Sequence, residues 1–195
     1  MRRPGSGSAL NSSKLIRVGL ISDTHGLLRP EALKFLRGAD HIIHAGDIGA
    51  PEILEQLAAL APVTAVRGNN DTDAWGRTLP RLARLEVEGV RILVIHDLAD
   101  LDLAAARDEA EVVVCGHSHK PRLDDAAGVL VVNPGSAGPR RFRLPICVAR
   151  LHVEAGRPRV ELLPLELPTP PSRTPGRTRA ARRGYAAPTS RSPRR

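Results

Sequence analysis

Three features of this 195-residue chain predict an α/β fold built on mixed sheets. Short apolar runs end abruptly in polar turns. In the first third they alternate with proline-initiated segments of helical spacing. From residue 82 onward the body is rich in further strand-like runs, two of them flanking a Glu-Gly turn.

The first run, Leu15 to Ser22, is apolar and closes on a polar residue, as a buried strand does. A helix follows, opened by Pro30 at a first-turn position, carried by Leu33, Phe35 and Leu36, and closed by Gly38. His41 to Gly46 is a second strand. Pro51 opens a second helix through Ile53, Leu54, Leu57, Ala58 and Leu60, and Pro62 to Val66 is a third strand. This strand–helix order implies parallel strands covered by helices, with a site expected in the loops at the strands' C-terminal ends. Leu82–Val87 and Val90–Ile95 flank Glu88-Gly89 as a hairpin. Residues 102–110 read as a helix and Val112–Cys115 as a buried strand. Val129–Val132, Ile146–Val153 and Arg159–Leu165 complete a strand-rich end.

Charge divides the chain. The formal net charge is +8, yet residues 168–195 hold eight arginines and no acid, which leaves residues 1–167 formally neutral. The body, residues 15–167, is therefore expected to be one domain without a basic nucleic-acid face. Residues 1–14 are expected to form a flexible leader and residues 168–195 a disordered Pro/Arg-rich tail, solvated or, as the lesser reading, touching nucleic acid or an anionic surface. One Trp, one Tyr and two Phe cannot build a multi-base stacking platform. No apolar run suits a membrane span, and the first thirteen residues lack the apolar stretch of a secretory signal, so a cytoplasmic location is expected. The two cysteines, Cys115 and Cys147, lie in apolar runs and read as small core residues.

The strand ends carry the chemistry. In order they present Asp23-Thr24-His25, Gly46-Asp47, Gly68-Asn69-Asn70-Asp71, His96-Asp97 and Gly116-His117-Ser118-His119. Groups of this kind are costly to bury unless paired or ligated, and parallel strands bring their C-terminal ends to one edge. Convergence on metal is the economical explanation. Imidazoles mixed with carboxylate and amide oxygens suit Mn, Fe, Zn, Co or Ni rather than Ca, and seven donors suit two ions better than one.

This ordered set closely resembles the calcineurin-like metallophosphoesterase superfamily, whose pattern runs Asp-x-His, Gly-Asp, Gly-Asn-His-Asp/Glu, His and Gly-His-x-His. The resemblance covers about residues 15–165. Asn133-Pro134-Gly135-Ser136, followed by Pro139-Arg140, is similar to the small bacterial and archaeal phosphodiesterase branch, to which the retromer subunit is related. The resemblance implies a four-layer α/β/β/α sandwich of two packed mixed sheets flanked by helices. It implies one divalent ion held by Asp23, His25, Asp47 and His119, and a second by Asp47, Asn69, His96 and His117. Manganese is expected first, with nickel, iron, cobalt or zinc as alternatives. The implied reaction is hydrolysis of a small organic or nucleotide phosphodiester by a metal-bridging hydroxide. Asn70 and Asp71 are the expected catalytic residues. Asn70 departs from the family's histidine, since an amide donates a hydrogen bond but cannot serve as a general acid. Asp97 stands where the family often has glycine, and orienting an imidazole, binding solvent and reshaping the loop are equally open to it.

Plainer readings compete at single positions. Asp23 or Asp47 alone could cap a turn or the helix after Pro51. His41, His44 and His152 read as satisfied core or surface groups, Asn133 as a turn residue, and Trp75 as loop packing or a wall of the substrate mouth. Ser136 or Arg140 has a substrate-loop role only through the resemblance. The functional alternative is a non-catalytic metal-binding scaffold of the same fold acting through protein contacts, and a third reading is nonspecific nucleic-acid cleavage anchored by the tail.

Overall fold

The computed structural model describes residues 14–141 and 143–167. The expected tail and all but the last residue of the expected leader lie outside the described residues.

The apolar runs form the interior strands. β1 (Ile16–Ile21), β2 (His41–His44) and β3 (Val63–Ala65) pair in parallel, each crossover made by a helix, α1 (Pro30–Leu36) and α2 (Pro51–Ala58). Both helices start on proline and carry an acid in the first turn, as their sequence signatures predict. β4 (Leu82–Val87) and β5 (Val90–Ile95) form the expected hairpin, with Glu88 and Gly89 both at positive φ. After α3 (Leu103–Glu109), β6 (Val112–Val114) lies parallel to β5 and to β8 (Val129–Asn133), with β7 (Arg122–Ala126) antiparallel on the edge. β9 (Cys147–Glu154) and β10 (Arg157–Pro164) return antiparallel to the first sheet. The sheet orders are β10-β9-β1-β2-β3 and β4-β5-β6-β8-β7.

The two sheets pack face to face over one apolar layer. Val18, Leu20, Ile43 and Leu151 from the first sheet meet Ile92, Val94, Val112 and Val132 from the second. Burial of each such side chain contributes about 1.5–3 kcal/mol. α1 and α2 cover the outer face of the first sheet through Ala32, Leu36, Ile53 and Leu57, and α3 covers the second through Ala106. This is the four-layer sandwich expected. Cys115 and Cys147 are buried free thiols in it. Trp75 packs at the margin of the helix-covered layer, which supports its packing role. Among the described residues, no helix is long and apolar enough to cross a membrane.

β7 was not expected. Four of its five residues are exposed, so it has no apolar periodicity, and it exists through its backbone ladder to β8 and an Ala127-Gly128 turn at positive φ. Because β1, β2 and β3 are parallel, as are β5, β6 and β8, the C-terminal ends of both sheets come to one edge of the sandwich.

Candidate metal centre

At that edge the loops are laced together by backbone hydrogen bonds. Asp23 and His25 donate to Gly46 and Asp47 carbonyls (3.0 and 2.9 Å), Ala137 donates to Ser22 O (3.0 Å), and Gly116 donates to His96 O (2.9 Å). Five candidate ligands, Asp23, His25, Asp47, His117 and His119, sit in the left-handed region, with φ between 45° and 65°. Such backbone costs on the order of 1–3 kcal/mol per residue and persists only where its surroundings over-determine it. Two glycines make the close approach possible. A Cβ on Gly68 would fall 2.1 Å from Asp47 Oδ1, and one on Gly116 would fall 2.1 Å from Ser22 Oγ.

One group of side chains is deep. Asp23, His25 and His119 bring ligand atoms within 4.8 Å of one another. His25 Nε2 lies 3.3 Å from His119 Nε2, with the rings stacked. His119 Nε2 lies 3.3 Å from Asp23 Oδ1, a fully buried oxygen with no hydrogen-bond partner among the described residues. Two imidazole nitrogens bound to one ion at about 2.0–2.1 Å stand roughly 3.0–3.4 Å apart, so this spacing and the orphaned oxygen fit a divalent metal. Burial pushes the Asp23 carboxyl up to about 6 against the Ser22 hydrogen bond. Burial, then the nearby His25 and Arg141 charges, push His119 down to about 4, and burial lowers His25 as well. Neutral imidazoles are the form that ligates.

The other group reaches the surface. His96 is buried; its Nδ1 donates to Ala45 O (2.7 Å), and its Nε2 lies 3.1 Å from Asn69 Oδ1 and 3.5 Å from Asp47 Oδ2. A backbone acceptor on the far nitrogen is how ligating histidines are commonly oriented. Burial disfavours the His96 cation, but Asp47 and the Ala45 carbonyl outweigh it and its pKa is raised. His117 is exposed, with Nδ1 3.0 Å from Asn69 Oδ1 and Nε2 3.5 Å from Asp97 Oδ2. Asp97 also caps a single helical turn by accepting from Ala99 N–H (3.0 Å), so it both shapes the loop and faces the imidazole.

Asp47 stands between the groups. Its Oδ2 is 3.8 Å from His25 Nε2 and 3.5 Å from His96 Nε2, and it joins Asp23 and His96 in a second possible ligand set. Burial raises its pKa, but bonds from His96 and from the Asn70 backbone and side chain more than offset this, and it is held below the usual carboxylate range. It does not cap α2, whose N-cap is Ala50.

The two residues expected to be catalytic both make defined contacts in the structure. The Asp71 carboxylate is buried and accepts from the backbone N–H groups of Ile48, Gly49 and Gly68 (2.9, 2.9 and 2.8 Å). It is a clamp joining two ligand loops, and its lone pairs are committed to amides. Asn70 donates its backbone N–H and side-chain amide to Asp47 (2.8 and 2.6 Å), which makes it a positioning residue for that carboxylate.

Sequence reasoning missed the role of Asn133. Besides making its turn, its amide donates to Gly116 O (2.5 Å) and Ser118 Oγ (3.1 Å), which fixes the loop bearing His117 and His119. Ser136 Oγ donates to Asp23 O (3.0 Å), a structural role rather than a substrate contact. No local sequence pattern signals the first, because Asn133 and the Gly-His-x-His run meet only through the fold. His44, fully buried, donates from Nε2 to Thr24 Oγ1 (2.9 Å), since that hydroxyl donates to Ile48 O; it is a core residue, but its Nδ1 has no hydrogen-bond partner among the described residues.

A cleft of about 750 Å³ opens beside Asn69 and His96. Comparisons with known proteins give the chain its family and fold. Residues 16–156 match the model of the calcineurin-like phosphoesterase superfamily domain. A probable metallophosphoesterase of Methanocaldococcus jannaschii is 37% identical over 163 residues, covering 76% of this chain and 81% of that protein. A phosphodiesterase of the same archaeon is 25% identical over 139 residues, covering 62% and 83%. The structure of vacuolar protein sorting 29 from Cryptosporidium parvum superposes with a TM-score of 0.63 at 19% identity, covering 76% of this chain and 97% of that one.

Proposed function

The chain belongs to the calcineurin-like phosphoesterase superfamily, and on that basis we propose that it is a phosphodiesterase dependent on two divalent metal ions, acting on a small organic or nucleotide diester. The observation that carries this reading is the position of Asp47, one carboxylate facing His25 on one side and His96 on the other. Asp23, His25, Asp47 and His119 would hold the first ion, and Asp47, Asn69, His96 and His117 the second. Manganese is the ion the family resemblance puts first, and the mixed nitrogen and oxygen donors suit nickel, iron, cobalt or zinc as well. Bound ions supply positive charge to the phosphoryl oxygens and a water nucleophilic near neutral pH. The protein's own part is geometric. Ala45 fixes the His96 tautomer, Asn70 orients Asp47, Asp71 ties the second and third strand ends together, and Asn133 holds the loop of the last two histidines.

The test is hydrolysis of bis-p-nitrophenyl phosphate and p-nitrophenyl phosphate by metal-stripped protein with each ion restored, beside Asp47→Ala. Metal-dependent cleavage favouring the diester, lost in the variant together with bound metal, is expected. Stoichiometric metal without turnover would overturn the reading in favour of a scaffold.

A further inference from the structure

The cleft beside Asn69 and His96 is walled by three arginines, Arg67, Arg77 and Arg81. All three come from the β3–β4 connection, the loop that also presents Asn69. That loop behaves as one unit. Arg67 N–H donates to Pro80 O (2.9 Å) across its base, Gly76 N–H donates to Asp73 Oδ1 (2.6 Å), and Asp71 ties its start to the loop after β2. The arginines and the candidate ligand are therefore held in register with each other.

The acids in the cleft do not neutralise these charges. Asp71 is committed to three amides, and Asp97 to the Ala99 amide and the His117 face. Asp100 lies 3.8 Å from Arg81, both well exposed, a pairing of little strength. The Arg67 and Arg77 guanidinium groups have no acid within salt-bridge distance among the described residues. Leu82, Ile95 and Leu101 give the same cleft an apolar wall. Guanidinium forks match phosphate oxygens in pairs, and an apolar wall suits a base or aryl ring.

We propose that this cleft is a second phosphate subsite, so that the preferred diester carries a further phosphate on its nucleoside-like portion. The inference rests on the phosphodiesterase reading for its substrate class, and its binding test stands apart from turnover. Binding of adenosine 3′,5′-bisphosphate and adenosine 5′-monophosphate to the full-length, Mn²⁺-loaded protein is measured by calorimetry at low and moderate salt. The bisphosphate is expected to bind about tenfold or more tightly, because a charged hydrogen-bonded contact is worth that much. The preference should narrow with salt and fall below about threefold in Arg67→Ser/Arg77→Ser. Arg77→Ser alone, at an exposed site, should remove about half of it on a logarithmic scale, which guards against misfolding of the double variant. Equal affinity for the two nucleotides, or a preference intact in both variants, would overturn the subsite. Turnover of bis-p-nitrophenyl phosphate without a preference rejects the subsite alone; a preference without turnover rejects the phosphodiesterase reading alone.

Discussion

Asp23, His25 and His119 lie below the surface with mainly one another as polar neighbours, whereas Asn69 and His117 stand at the surface, where Asn69 meets His96 and His117 also meets Asp97. In the deep half, geometry comes from backbone: left-handed φ values at all three residues, locked by bonds between loops. In the outer half, Asn69 and His117 are held by side-chain contacts at the surface, where solvent competes, and only His96 is buried and fixed by a backbone carbonyl. A desolvated carboxylate such as Asp23 gains most from ligation, since neither water nor a second donor reaches its Oδ1. The deep half is therefore preformed for an ion whose binding would couple to stability, and the outer half would be the more adjustable one.

The largest expected effect comes from the residue that belongs to both halves. Asp47→Ala should remove both ions and lower turnover by about 10³-fold or more, followed by metal analysis beside kinetics. Retained turnover with two bound metals would mean the halves are not joined through this carboxylate.

Asp71→Ala tests whether the halves are held together by the clamp. Three backbone amides lose their acceptor, at about 1–3 kcal/mol each where buried, so a loss of about 3–5 kcal/mol is expected. For a chain of this size that lowers Tm by roughly 10 °C, read by thermal melting. An unchanged Tm with lost turnover would return Asp71 to a direct catalytic role.

The floor beneath the deep half predicts a pH effect. His44 is neutral when folded, its pKa pushed down to about 3 by complete burial, but takes up a proton near 6.5 when unfolded. The stability it lends is complete above about pH 6.5 and is lost as pH falls toward 3, by about 1.4 kcal/mol per pH unit. His44→Gln keeps a donor for Thr24 without the titration. In urea unfolding of metal-free protein, the stability gap between wild type and variant should narrow by about 2–3 kcal/mol from pH 6.5 to 4.5. Asp23 and His119 titrate in both proteins and cancel in the difference, so a constant gap would refute the assignment.

The outer half should respond locally. His117→Ala is expected to weaken binding of the second ion by about 10–100-fold while the first stays bound, measured by competitive metal titration. Equal loss of both ions would erase the contrast between the halves.

The sequence showed the site's membership more clearly than its wiring. Strand ends were legible because an apolar run stopping at Asp, Asn or His is a local pattern, and parallel pairing then puts such ends on one edge. β7 was illegible because Arg122–Ala126 buries no face; its only signal is a hydrogen-bond ladder with β8. The clamp contacts of Asp71 were illegible for a related reason. Its place beside Asn69 and Asn70 shows a carboxylate near the centre, but not that its oxygens accept from Ile48, Gly49 and Gly68, two of which lie on another loop. Asn133 likewise acts on Gly116, far away in sequence. Residues whose function is a contact across loops leave no periodicity to read.

Asn70 sits where that lesson matters most, at the junction of the halves. Its backbone N–H reaches Asp47 Oδ1 and its amide reaches Oδ2, so it restrains the shared carboxylate on both oxygens. Asn70→His would keep the backbone bond, give up the amide, and introduce a group able to protonate a leaving oxygen. A positioned general acid contributes about 10²–10⁴-fold, but only where the leaving group needs a proton, and lost restraint of Asp47 would slow all substrates alike. The two effects separate in the ratio of kcat/KM for an alkyl to an aryl phosphodiester, which should rise by about tenfold even if both rates fall. An unchanged ratio would mean that position 70 acts on the reaction only through Asp47, and that the proton for the leaving group is supplied from elsewhere in the cleft.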